Sequence, residues 1–135
     1  MLQKLQKNRS GFTLVEIMIV VAIIALLAAI AVPGFIRARK RSQATRILED
    51  LRLIDAAVDQ YAVETNKKGG FAVTSADIKS YLKTGSKLYN STGKDILGYS
   101  FNGGTFKVDE IPKVAGTTFT ELSDVAPGPF WSPYK

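Results

Sequence analysis

No histidine and no cysteine occur in the 135 residues. The chemistry open to the chain therefore rests on carboxylates, cations and hydroxyls. The commonest general base, the nucleophile–histidine triad, thiolate metal sites and most zinc sites are excluded. One carboxylate is out of place. Glu16 lies in the run Gly11-Phe12-Thr13-Leu14-Val15-Glu16-Ile17-Met18-Ile19-Val20, which stays apolar to Val32. A charge at the centre of a membrane helix costs about 2.5–3.5 kcal/mol on insertion scales, and such residues usually have a partner. The chemistry Glu16 invites is ion pairing, and the question is with what. Three other readings stand beside it. Glu16 lies early in the run and could snorkel to an interface. Ala29-Ile30-Ala31 behind a basic leader matches a secretory cleavage pattern. The run could also be a permanent single-pass anchor.

The elements that must position Glu16 follow from the pattern around it. Residues 12–36 are apolar apart from Thr13, Glu16 and the Pro33-Gly34 pair. A helix of that length reaches roughly 38 Å, enough to span a bilayer core. Apolar residues fall on every face, as in a segment buried all round. After Pro33 the period changes. Ile47, Leu51, Ile54, Val58 and Tyr61 recur at alternating steps of four and three, one stripe of an amphipathic helix that Leu48 and Ala62 widen. Asn66-Lys67-Lys68-Gly69-Gly70 reads as its stop, with cations in the last turn and glycine beyond. Pro33 lacks a backbone donor and clashes with the preceding turn, so a kink or local loosening is expected there.

Residues 69–135 read as a small cap. Thr74-Ser75-Ala76-Asp77 has capping-box spacing ahead of a short helix carrying Ile78, Tyr81 and Leu82, which Gly85 ends. Residues 86–97 read as polar chain with a turn at Asn90-Ser91-Thr92-Gly93. Residues 98–101 and 105–108 alternate around Asn102-Gly103-Gly104, a hairpin pattern, with a third strand expected near 113–120. The tail, with Phe130, Trp131 and Tyr134, is expected to pack on the sheet. A domain of about 60 residues is marginal alone, so docking the sheet on the Ile47–Tyr61 stripe gives both a core. The expected fold is α+β: a long N-terminal helix, transmembrane then amphipathic, packed on a small antiparallel sheet. The expected division is 1–11 leader, 12–36 membrane and assembly helix, 37–68 amphipathic extension and 69–135 cap.

The formal net charge of +6 is unevenly placed. Lys4, Lys7 and Arg9 precede the apolar run, and Arg37, Arg39, Lys40 and Arg41 follow it. Cations hugging both ends of a span point to lipid headgroups rather than to specific nucleic acid. The late carboxylates Asp109, Glu110, Glu121 and Asp124 lack the spacing of a cation loop, and no metal or other cofactor is expected. The aromatics are at core spacing.

Gly11-Phe12-Thr13-Leu14-Val15-Glu16, the apolar helix and Pro33 resemble the type IV pilin and type II secretion pseudopilin superfamily. The resemblance implies a leader removed by prepilin peptidase between Gly11 and Phe12, then N-methylation of Phe12. It implies that Glu16, fifth in the cleaved chain, docks on the N-terminal amine of Phe12 in a neighbouring subunit. It also implies a non-enzymatic subunit of a helical filament, held singly across the cytoplasmic membrane with its cap outside before assembly. The finished filament would be periplasmic or extracellular. The partners implied are copies of itself, the peptidase and the membrane assembly machinery. A type II secretion pseudopilus is favoured by the compact, cysteine-free cap. A pilus for adhesion, motility or DNA uptake is the alternative within the class, and a non-assembling membrane-anchored binding module the alternative outside it. Two departures stand out. Ala25 takes the place where many relatives have glycine, and the cysteine-bracketed C-terminal loop of the family is absent.

Overall fold

The structure is a computed structural model describing residues 10–135; Lys4, Lys7 and Arg9 of the expected leader lie outside the described residues. The fold is α+β. Two compact units meet in the chain at Ile36 and Arg37.

Helix α1 runs from Leu14 to Thr65, 52 residues, and continues through Pro33 without a break. Proline has no N–H, so one carbonyl a turn earlier lacks its helical partner. The helix ends where the sequence signals a stop, but by a different residue. Asn66, not glycine, takes the left-handed position with φ 52°, and the Lys67 N–H closes back on the Ala62 carbonyl at 3.0 Å. This satisfies a carbonyl orphaned by the helix end. Asparagine tolerates that conformation better than other side chains. Lys67 and Lys68 therefore fall beyond the last turn.

In the first unit every residue from Ser10 to Ile36 is exposed. Here α1 contains a stretch long and apolar enough to cross a membrane, with none of it buried in the chain. In the second unit α1 buries Ala44, Ile47, Leu51, Ile54, Val58 and Ala62, while Tyr61 is half-buried. That is the stripe expected from the spacing. It packs in one core with Val73, Ile78, Leu88, Phe101, Phe106, Leu122 and Trp131.

The sheet has two strands, β1 (Ala72–Thr74) and β2 (Thr105–Lys107), antiparallel in the register Val73↔Phe106. Only those two central residues are buried, as a period of two requires. The hairpin expected between 98–101 and 105–108 does not form. Asn102, Gly103 and Gly104 take consecutive positive φ of 49°, 69° and 88°. They close a tight, left-handed, non-helical turn over Phe101–Gly104, but residues 98–101 do not pair with β2 across it. With Phe101 drawn fully into the core, β2 takes its partner from far upstream. Ser100 keeps one isolated bridge, to Lys94.

Three further expectations are corrected. Helix α2 (Lys87–Ser91) replaces the expected polar stretch; the Ser86 hydroxyl caps it by accepting the Tyr89 N–H at 3.1 Å. It ends at left-handed Thr92 and Gly93. The expected third strand is helix α3 (Gly116–Glu121). The β-rich letters there are overridden by helical spacing, since Thr118 and Leu122 both point into the core. Before these, Lys79–Tyr81 forms one 3-10 turn rather than an α-helix. Only half of the expected capping box forms there: the Asp77 carboxylate accepts from the Thr74 N–H at 2.8 Å and hydroxyl at 2.6 Å.

The aromatic tail is tied to α1. Arg41 lies over the Phe130 ring at 6.0 Å. Trp131 is fully buried and donates its indole N–H to the Ala126 carbonyl at 2.9 Å. Val114 N–H donates to the Tyr134 carbonyl at 2.8 Å.

One polar group organises the loops. Asp95 is buried; its Oδ1 accepts the Leu97 and Tyr99 N–H groups, each at 2.9 Å, and its Oδ2 accepts the Thr118 hydroxyl. Replacing Asp95 by Ala strands those donors in the core. A stability loss of roughly 2–3 kcal/mol is expected, read as a shifted urea midpoint.

Candidate functional site

The expected processing and docking residues cluster at the start of α1. Gly11 and Phe12 precede the helix in non-helical chain. Phe12 is 85% exposed, and nothing lies within 4 Å of where a Gly11 Cβ would be. The Gly11–Phe12 peptide bond is therefore accessible and free of helical hydrogen bonding, as hydrolysis requires. Thr13 caps the helix. The Glu16 N–H donates to the Thr13 hydroxyl at 3.2 Å, and the Glu16 carboxylate accepts the Thr13 N–H at 2.7 Å. This is a reciprocal capping box: each partner satisfies a donor that the helix start would leave orphaned. The macrodipole adds to it, favouring a negative group in the first turn.

Glu16 thus has a role within its own chain that the opening reading did not assign. The signal was in the letters, a threonine three places before a glutamate ahead of an apolar run. One neutral N–H leaves most of the acceptor capacity of the carboxylate unused, and among the described residues its charge has no counter-charge. Among the described residues, the ion pairs are Lys40–Asp124 at 3.0 Å and Lys107–Glu110 at 3.2 Å; neither involves Glu16.

Of the basic cluster, Lys40 reaches Asp124 and Arg41 reaches Phe130, whereas Arg37 and Arg39 are exposed. Late carboxylates are engaged by protein groups: Glu110 by Lys107, Asp124 by Lys40, and Glu121 by the Tyr99 hydroxyl at 2.6 Å. Asp109 takes a left-handed φ of 64° beside Gly69. The aromatics pack edge to face, Tyr61 on Tyr81 and Phe130 on Trp131, with centroids 6.2 and 5.2 Å apart.

Three carboxyls of the second unit are shifted. Burial raises Asp50 above its ordinary value of 3.8, with Glu49 and Asp95 adding to the rise and Arg46 opposing it. Burial and the neighbouring Asp59 raise Asp55. Hydrogen bonds from Thr74 lower Asp77. A raised carboxyl binds its proton more tightly when folded. Its contribution to stability is therefore present below pH 3.8 and lost as pH rises through the folded value. Asp77 acts in the opposite sense: its contribution is present above 3.8 and lost as pH falls. Asp50→Asn should therefore melt a few degrees above wild type at neutral pH, with the gap closing toward pH 3; melting curves at both ends check it.

A family profile described as "Prokaryotic N-terminal methylation motif" matches residues 6–32. The type IV major pilin protein PilA of Myxococcus xanthus is 44% identical over 66 residues, 49% of this chain and 30% of that protein. The type II secretion system core protein G of Aeromonas hydrophila is 33% identical over 64 residues, 47% of this chain and 45% of that protein. Fimbrial protein Q of Moraxella bovis is 38% identical over 99 residues, 72% of this chain and 52% of that protein. The matches span about half or less of the length of these relatives. No solved structure matches the chain significantly. The family profile and these relatives support the type IV pilin and type II secretion pseudopilin superfamily for this chain.

Proposed function

We propose that the chain is a subunit of a helical filament, drawn from the membrane after cleavage between Gly11 and Phe12 and methylation of the Phe12 amine. The observation that carries this is the start of α1: a carboxylate with spare acceptor capacity at the head of a helix segment with no covered residue. Cleavage would create a cationic amine at Phe12, and methylation keeps that charge. Two unit charges about 4 Å apart interact by about 4 kcal/mol at an effective dielectric of 20. An amine on a second copy would give Glu16 its counter-charge and set the axial register. The uncovered apolar faces would then bury one another, the main favourable term in association. Pro33 is the place where the assembled helix would bend, since a carbonyl is already unpaired there.

Before assembly the helix would cross the cytoplasmic membrane once, with the cap outside. Within the class we favour a secretion pseudopilus, on the compact, cysteine-free cap. Peptide mass spectrometry of the mature protein tests the processing step: a methylated peptide beginning at Phe12 is expected. Chains retaining Met1 only, or starting at Val32, would refute it. Surface shear and microscopy, with secretion assayed in a deletion strain, separate pseudopilus from pilus. Loss of secretion without surface fibres is the expected result.

A further inference from the structure

We propose that Arg37 and Arg39 hold the phosphates of anionic phospholipids where the apolar run of α1 ends. Between residues 37 and 48 the chain has five cations, Arg37, Arg39, Lys40, Arg41 and Arg46, and no carboxylate before Glu49. This block follows Ile36, the last residue of a segment that the chain itself leaves uncovered. The five cations are not equivalent. Lys40 is committed to Asp124 at 3.0 Å, and Arg41 lies over Phe130 at 6.0 Å. Arg46 lines a cavity of about 200 Å³ with Asp50 and Asp95.

Arg37 and Arg39 are exposed and take part in no ion pair among the described residues. They lie one residue apart in the chain, hence about 200° apart around the helix. They cannot share one phosphate. Each faces a separate headgroup, so the pair girdles the helix instead of forming a pocket. Guanidinium is the cation suited to this, because its planar fork engages phosphate oxygens in pairs. The alternative occupant, an acidic residue of a second copy, would be Glu16, 21 positions back along the chain, or, nearest in sequence, Glu49. Glu49 lies 12 positions along the chain from Arg37, about 18 Å up the helix. Lipid needs no such shift, because it already surrounds the preceding segment. The inference stands on the membrane segment alone and holds whether or not the chain polymerises.

The test uses the full chain, unassembled, in nanodiscs of mixed phosphatidylglycerol and phosphatidylcholine, with retained lipids counted by native mass spectrometry. Wild type should retain phosphatidylglycerol above its bulk share, and removing each cation should lower that enrichment by about five-fold. Arg37→Gln/Arg39→Gln should therefore retain lipids near the bulk ratio. Lys67→Gln/Lys68→Gln removes the same charge beyond the end of α1 and should behave as wild type. Near-ultraviolet dichroism of each variant confirms that the cap is folded. Absence of enrichment in wild type, or equal loss in both double variants, would overturn the proposal. So would complete displacement of phosphatidylglycerol by inorganic phosphate, which would mark a general phosphate site.

Discussion

Glu16→Gln chains are expected to insert in the membrane, begin α1 normally and fail to build filaments. The amide oxygen of glutamine can still accept the Thr13 N–H, so the capping box survives. What disappears is the charge. A neighbour's Phe12 amine would then enter an apolar interface without a counter-charge, forfeiting an attraction of about 4 kcal/mol per contact at an effective dielectric of 20. Each subunit in such a filament would make this contact, so the loss would compound and filament yield should fall by orders of magnitude. Glu16→Val should fail likewise while inserting at least as well. Thr13→Ala provides the converse. It removes the hydroxyl that accepts the Glu16 N–H, at about 1 kcal/mol of helix stability, yet keeps the carboxylate, so filaments should form. Filament mass recovered after shear, against total chain in the membrane, reads all three. Normal filaments from Glu16→Gln would rule out charge pairing as the driver of assembly. A non-assembling anchor would show no filaments even in wild type.

Trp131→Ala should unfold the cap at temperatures where the native chain is stable. The side chain is fully buried among core residues contributed by α1, β1 and β2. Deleting a buried aromatic side chain costs about 3–5 kcal/mol, because a cavity adds to the lost transfer energy. The Ala126 carbonyl also loses its indole donor. Against a usual total of about 5–15 kcal/mol for a domain, this is a large fraction. A fall of roughly 15–30 °C in melting temperature follows for a unit of this size. Tyrosine near-ultraviolet dichroism serves as the readout, since Trp131 is the only tryptophan. Trp131→Phe keeps much of the volume and loses the N–H, so it should fall well short of the alanine variant.

The long helix was legible because its period is sustained. The stripe from Ile47 to Val58 announces itself at steps of four and three, and those residues are buried. The cap was less so. Its strands are three residues each, too short for an alternation to identify a partner. The letters from Gly98 to Val108 fit a hairpin locally; what decided against it was the burial of Phe101, which depends on a core built from distant residues. Thr117, Thr118 and Phe119 favour strand intrinsically, yet α3 forms because Thr118 and Leu122 meet the core one helical turn apart. Asp95 escaped notice because nothing local marks a carboxylate whose third donor, the Thr118 hydroxyl, is 23 positions away. At the candidate site the case is reversed. Thr13 and Glu16 are a local motif, visible in sequence, but the apolar surroundings drew attention to the charge and away from the cap.

The burial of Trp131 and Tyr134 also bears on turnover. A protease that removes the chain from Pro127 onward does not trim a loose end. It withdraws two core side chains and leaves Val114 without its carbonyl partner. Cleavage there should expose the apolar stripe of α1 and commit the cap to complete digestion. Limited proteolysis from that side should yield intact chain and small peptides, with no stable shortened form between them.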